Sequence, residues 1–364
     1  MDAEDLLRTL VAIPSLSGQE GALADHIASF MNAEGFNVQR LGDSIWFEIG
    51  SGSPRLLLLS HLDTVPPCEG WTSDPLNPTW EDGRLHGLGA NDAKGSLTSL
   101  LLAAKELAHA ANPRMPKLAG TVIMAFAAEE ETEGRGTQAM LPHLGEIDAA
   151  VVCEPTGLQV CTAQRGRMVL KCSAQGTAAH AAHARLGENA IHKAARDIAR
   201  LETITFEPHP LLGVTRPVVT MVQGGRVRNQ VPDLCEFFVD IRTTPNLKDE
   251  DVLARIMGEL ESTVTVVSSE YSPTATQAGE PIVRAALAAS NTTGAIGSNT
   301  TSDWVFLGDI PAVKAGPGDT HRSHRPDEWI SKKELEAGVA FYVDLARAFF
   351  HIKDSEKAPE TVHA

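Results

Sequence analysis

Apolar positions along the chain recur with two periods. Leu6, Leu7, Leu10 and Val11, then Leu23, Ile27 and Phe30, follow helical spacing, so two amphipathic helices are expected near the start. Ile45–Ile49 and Leu56–Leu59 read as strands joined by a turn over Gly50–Pro54, and Gly95–Ala111, rich in Leu and Ala, reads as a helix. Val122–Ala127 and Ala150–Cys153 are short unbroken apolar runs, the pattern of strands buried on both faces. Strands alternating with helices predict an α/β fold, a mixed and largely parallel sheet flanked by helices.

The pattern changes after residue 165. Met168–Ala174 reads as a strand, Asn189–Leu201 as a helix, Val218–Val222 and Leu234–Ile241 as strands, Leu247–Leu260 as a helix and Val264–Val267 as a strand. Strand–helix–strand–strand–helix–strand is the order of a ferredoxin-like α+β unit. The expected organisation is a first domain over 1–167, an inserted domain over 168–279 and a return to the first domain over 280–364. The return carries a helix at Ile282–Ser290, a strand at Ala312–Ala315 and a helix at Lys332–Phe350, with a loose polar tail after Lys353.

Composition narrows the classes of function. A chain of 364 residues, 43% hydrophobic, is long enough for two cored domains. The formal net charge is −16 and no basic run appears, which argues against a nucleic-acid partner. Five scattered cysteines without a Cys-x-x-Cys pair fit a reducing compartment better than a disulfide framework. The acidic start Met1-Asp2-Ala3-Glu4-Asp5 lacks the basic and apolar regions of a signal peptide. No apolar run approaches the ~18 residues of a membrane span. A cytoplasmic protein without a membrane partner is expected.

Several of the apolar runs end in possible metal ligands. His61 and Asp63, two residues apart in an extended segment, face the same way, so Asp63 can hold one ring nitrogen while the other binds a cation. Asp92 lies in Gly87–Gly95, just before a helix. It reads as a helix cap or as a carboxylate that bridges two cations. The spacing there is not that of a phosphate loop, because Gly95-Ser96 follows Lys94 directly. Glu129-Glu130-Glu131 closes a buried run, and adjacent glutamates point different ways, so one can ligate while another takes a proton from water. Glu154 follows the run Ala149–Cys153, and in the later loop His321 and His324 compete without spacing to choose between them. Each segment alone also reads as a solvated strand end, an acidic loop or a turn. Together they supply imidazole and carboxylate donors without thiolates, a set suited to zinc, cobalt or manganese in an open catalytic site.

Taken in order, segments 60–67, 87–95, 129–130, 154–155, 176–191, 224–242 and 316–328 resemble the co-catalytic zinc amidohydrolases and peptidases. That family includes acetylornithine deacetylase, succinyl-diaminopimelate desuccinylase, the aminoacylases and the glutamate carboxypeptidases. The resemblance implies two Zn2+ per chain, replaceable by Co2+ or Mn2+, with Asp92 bridging them. His61 and Glu154 would complete one site. Glu130 and His324 would complete the other, His324 being preferred because its spacing to Glu328 fits the family's His-x-x-x-Glu. Glu129 would be the general base for the attacking water, Asp63 would orient His61, and a cis peptide is expected at Asp92–Ala93. The resemblance further implies that the inserted domain is a dimerisation or lid domain of a homodimer. There His180 would stabilise the oxyanion in the partner's site, and Asn229, Arg242 and Thr301 would bind substrate. Relatives often have glycine where this chain has Ser60, and many carry a proline two residues before the glycine matching Gly187, as this chain does not.

The expected activity is metal-dependent hydrolysis of an amide in a small N-acyl amino acid. Gly316-Pro317-Gly318-Asp319 looks most like the segment of acetylornithine, acetylcitrulline and acetyl-lysine deacetylases, and N-acetylornithine is the favoured substrate. Succinyl-diaminopimelate desuccinylase, N-acetylcitrulline or N-acetyl-lysine deacetylase and dipeptidase are the other enzymatic expectations. A metal-free binding protein on the same scaffold is the non-enzymatic one.

Overall fold

The computed structural model describes residues 2–109, 118–290 and 292–357. The chain forms two compact units, Met1–Thr162 with Thr276–Ile296 and Ser302–Ala364, and Ala163–Ala275 with Gly297–Thr301.

The first unit is an α/β structure. From one edge its sheet runs Gln39–Leu41, Ser44–Gly50, Thr121–Ala127, Arg55–His61, Ala149–Val152 and Ala312–Lys314. The last four of these strands are parallel, and Ser44–Gly50 is antiparallel to Thr121–Ala127. The strands on either side of the Gly50–Pro54 turn therefore do not pair. Arg55–His61 lies inside the sheet with a parallel neighbour on each side, and Thr121–Ala127 separates it from Ser44–Gly50. Alternate positions feed different cores. Leu56, Leu58, Val122, Met124 and Phe126 pack among the helices of one face. Leu57, Leu59, Ile123, Ala125 and Ala127 pack with Met140, Leu144, Trp304 and Leu307 on the other. Both faces are dry, so the runs carry no polar alternation.

Helix Ala3–Ala12 starts on Asp2, whose side chain accepts the Asp5 N–H at 2.8 Å, and it buries Leu6, Leu7, Leu10 and Val11. The helix expected at Gly95–Ala111 runs Lys94–His109, and residues 110 and 111 lie outside the described residues. The last helix extends to Lys357, past the expected start of a loose tail at Lys353. An ion pair between Arg284 and Glu356 ties this end to helix Pro281–Ser290, which gives the extra turn a tertiary anchor. Residues 358–364 lie outside the described residues.

The second unit is ferredoxin-like. Its antiparallel sheet runs Pro217–Gly224, Leu234–Ile241, Arg167–Gln175 and Thr263–Tyr271, with helices Ala190–Leu201 and Asp249–Glu259. Leu170, Cys172, Phe237 and Val239 alternate inward against Ala194, Val252 and Ile256 of the two helices. The unit opens at Ala163 rather than residue 168, and it takes in Gly297–Thr301. Arg165 accounts for both differences. Its backbone N–H donates to Ser298 O at 3.1 Å and its guanidinium to Asn299 Oδ1 at 2.9 Å, which fastens that segment here.

Candidate metal centre

Parallel strands bring their carboxyl ends to one sheet edge, where open α/β sheets place ligands. Registers His61↔Ala127, Leu59↔Val152 and Val313↔Val151 align the strands so that His61, the glutamates after Ala127, and Glu154 emerge together.

His61 is 1% exposed. Its Nδ1 lies 3.0 Å from Asp63 O and 3.3 Å from Asp63 Oδ1, and its Nε2 lies 3.2 Å from Asp92 Oδ1 and 3.9 Å from Glu154 Oε1. Burial alone would lower the His61 pKa, but the Asp63 and Asp92 carboxylates outweigh it and hold the ring well above its usual range. With Nδ1 donating to Asp63, a cation replacing the second proton would meet the lone pair of Nε2. Asp63 does more than orient His61. Its Oδ1 accepts the Glu130 N–H at 3.0 Å, and its Oδ2 accepts the Glu131 N–H at 3.0 Å and the Ser17 hydroxyl at 2.7 Å. Burial pushes the Asp63 pKa up, but its bond and attraction to His61 outweigh this and keep it below the usual carboxylate value.

Asp92 enters through a loop closed by a cis peptide to Ala93, the bond the resemblance implied. Glu328, buried at 3% exposure, accepts the backbone N–H groups of Gly89, Asn91 and Asp92. Burial, then the Asp92 charge, push its pKa up to about 8 against those three donors. Lys94, also buried, donates from Nζ to Ile13 O at 2.8 Å and ties the start of the next helix to the end of the first.

The structure sets Glu131, rather than Glu130, beside His324. His324 Nε2 lies 2.9 Å from Glu131 Oε1, and Asp92, Glu131 and His324 have donor atoms within 4.8 Å of one another. His61, Asp92 and Glu154 form a second such group that shares Asp92, and His61, Glu130 and Glu131 a third. Glu131 therefore takes the place beside His324 that the sequence reading gave to Glu130. Glu129, read as the general base, stands in none of these groups, and its carboxylate lies 3.6 Å from Arg135 Nη1. The cause is the backbone. Glu129 has φ of +59°, its N–H is held at 2.9 Å by Glu20 Oε1, and Asp63 takes the next two N–H groups. The chain reverses at the first glutamate and sends the second and third inward.

The donor set fits a pair of divalent cations. Burial and then the charge of Asp92 raise the Glu154 pKa to about 7. Glu130 is pushed well above its ordinary value by burial and then by Glu154, and burial raises Glu131 as well. Carboxylates so crowded and dry repel one another unless positive charge or protons compensate. His and carboxylate oxygen donors around a shared aspartate match zinc, cobalt or manganese.

The remaining candidates lie in the second unit. His180 is exposed, and its Nδ1 accepts the Ala182 N–H at 3.1 Å. It pairs across a short ladder with Gln230, and the Asn229 carbonyl accepts the Ala181 N–H at 2.9 Å, so these two sequence candidates adjoin. Arg242 is committed to Asp240, with Nε 2.8 Å from Oδ1. Thr301 donates to Arg165 O at 3.1 Å, and Arg165 donates to Arg242 O at 3.0 Å, which brings that pair together. Sequence reasoning passed over Glu131 as a candidate ligand, and Glu20 and Asn91 as residues that hold the candidate loops. The apolar run ending at Ala128 was the available signal for Glu131, since it makes Glu129 the first loop residue.

Comparison with known proteins agrees with this architecture. The profile of peptidase family M20/M25/M40 matches residues 57–348. An acetylornithine deacetylase from Klebsiella pneumoniae is 29% identical over 369 aligned positions, which cover 91% of this chain and 94% of that protein. Among solved structures, aminopeptidase PepT from Bacillus cereus superposes with a TM-score of 0.79 at 20% identity, covering 96% of this chain and 99% of that one. A dinuclear metal-binding peptidase of the same family from Bacillus subtilis gives a TM-score of 0.74 at 18% identity, covering 96% and 98%.

Proposed function

Because the chain belongs to peptidase family M20/M25/M40, we propose that it is a two-cation amide hydrolase that removes the acyl group from a small N-acyl amino acid, N-acetylornithine first among them. The observation that carries this is the pair of donor groups sharing Asp92, with the Glu130 carboxyl left over beside His61 and Glu131. The acetylornithine deacetylase relative, aligned along nine-tenths of the chain, supports the choice of acyl amino acid.

His61, Asp92 and Glu154 would hold one cation, and Asp92, Glu131 and His324 the other, Zn2+ being the proposed metal with Co2+ or Mn2+ as substitutes. Bound there, the cations would polarise the acyl carbonyl and bring the pKa of water toward about 7. Glu130 takes the proton of the attacking water and passes it to the leaving amine. It is suited to this because its desolvated carboxyl holds a proton more readily than a free glutamate does. Asp63 keeps the backbone of Glu130 and Glu131 fixed while it orients His61. His180, supplied by a second copy of the chain, is the proposed oxyanion donor, and Asn229, Arg242 and Thr301 are the proposed substrate contacts.

Two variants separate the adjacent glutamates. Glu130→Gln is expected to keep both cations and lose about 10²–10⁴-fold in kcat, while Glu129→Gln keeps most of the activity. The reverse ranking would return the base to Glu129. N-acetylornithine, N-acetylcitrulline, N-acetyl-lysine, N-succinyl-diaminopimelate and dipeptides, assayed with zinc or cobalt, test the substrate. Faster turnover of a dipeptide than of any acetylated basic amino acid would refute the deacetylase assignment.

A further inference from the structure

We propose that Asn91 and Glu328 form a reciprocal clasp that fixes Asp92 and His324 relative to each other and so governs how tightly the centre holds its cations. The proposal rests on the two-cation reading above. Both are positioning residues. Neither is a ligand.

Glu328 follows His324 by one helical turn's worth of sequence and reaches back to a loop 236 residues earlier. Its Oε1 accepts the N–H groups of Asn91 and Asp92, each at 2.8 Å, and its Oε2 accepts that of Gly89 at 3.1 Å. Its own carbonyl accepts the Gly87 N–H at 3.0 Å. The loop leading into Asp92 thus hangs from one residue of the His324 segment.

The grip is returned. Asn91 immediately precedes Asp92 and is fully buried. Its Oδ1 accepts the Asp319 N–H at 2.8 Å, and its Nδ2 donates to Asp319 O at 3.1 Å and to Ser323 Oγ at 3.3 Å. Ser323 is the residue before His324. Gly318 approaches so closely, at φ of +91°, that a Cβ there would strike Asn91 Oδ1. Each ligand-bearing loop is therefore held by a side chain of the other.

The chemistry favours positioning over plain packing. A carboxylate in a dry site is costly unless its oxygens are bonded, and an apolar side chain would fill the space at less expense. Three backbone donors on one buried carboxyl group, at 2.8–3.1 Å, fix its direction and that of the loop it holds. Asp92 belongs to both donor groups, so loosening Glu328 disturbs both cations. Asn91 reaches only the segment bearing His324, so loosening it disturbs one.

The test is calorimetric titration of the chelator-stripped full chain with Co2+, alongside circular dichroism and thermal unfolding of the stripped proteins. The parent should bind two Co2+ per chain. Glu328→Ala should weaken both sites by about 10–100-fold, and Glu328→Gln, whose amide oxygen can keep the bonds to Asn91 and Asp92, should weaken them less. Asn91→Ala should weaken one site by a similar factor and leave the other unchanged. Should Glu328→Ala not fold, Asn91→Ala and Glu328→Gln decide the matter. Folded variants with both affinities at the parent's values, even with a lowered Tm, overturn the clasp. A parent that binds no Co2+ overturns the two-cation reading and the clasp with it.

Discussion

At the scale of single residues, Asp63 joins two tasks that are usually separate. It faces His61 and also takes the backbone N–H groups of Glu130 and Glu131. Asp63→Ala leaves those two donors without their acceptor, at about 1–3 kcal/mol each, and leaves the imidazole held only by the backbone carbonyl of residue 63. Lower stability in urea unfolding and a 10–100-fold loss of cation affinity, on the order seen for such supports, are the expected results. An Asp63→Ala protein with parental midpoint and parental affinity would show that the carboxylate holds nothing in place. The same residues mark the limit of what the chain spells out locally. His61, Asp92 and Glu154 are legible as candidate ligands because each follows an apolar run or sits in a distinctive loop, whereas His324 is preferred over His321 only through the family's His-x-x-x-Glu spacing. Three successive glutamates give no register, because the left-handed turn at Glu129 is imposed by Glu20 and Asp63, which lie far away in sequence.

At the scale of elements, the buried runs were readable because strands covered on both faces have no polar positions to confuse the pattern. Partnership was not readable. The short turn at Gly50–Pro54 suggests neighbouring strands, yet Thr121–Ala127 intervenes, because a parallel neighbour on each side of Arg55–His61 buries both of its edges. The segment after Thr121–Ala127 depends on Gly134, which has φ of +61° and packs so tightly that a Cβ would meet the Phe306 ring and Asp303. Thr137 also donates its hydroxyl to Asp303, so this short region is pinned twice. Gly134→Ala is expected to cost more than about 1 kcal/mol and to lower kcat by shifting the glutamates, with thermal unfolding and steady-state assays as the checks. Parental kcat in that variant would mean that the loop tolerates displacement without moving Glu130.

At the scale of the whole molecule, the two units divide the candidate chemistry. The cation donors belong to the first unit, and His180, Asn229, Arg242 and Thr301 to the second. The alternation that signalled an inserted ferredoxin-like unit came from half-buried strands such as Leu234–Ile241, whose inward and outward positions strictly alternate. Among the described residues, no helix is long and apolar enough to cross a membrane. The first unit carries a cost that cations would relieve, since Glu130, Glu131, Glu154 and Asp92 crowd one sheet edge. Chelation should therefore lower the Tm and added Zn2+ or Co2+ should restore it, each site contributing about 2.7 kcal/mol of stability at a hundredfold excess over Kd. A melting curve indifferent to chelator would mean that the edge is stable without metal.

The most direct measurement is an anomalous difference map at the zinc absorption edge, from crystals of the chain grown with zinc. Two peaks are expected, one against His61 and Glu154, the other against Glu131 and His324, with Asp92 touching both. No peak at this edge of the sheet, or a single peak held by Glu130 with Asp92 left aside, would contradict the shared-aspartate centre.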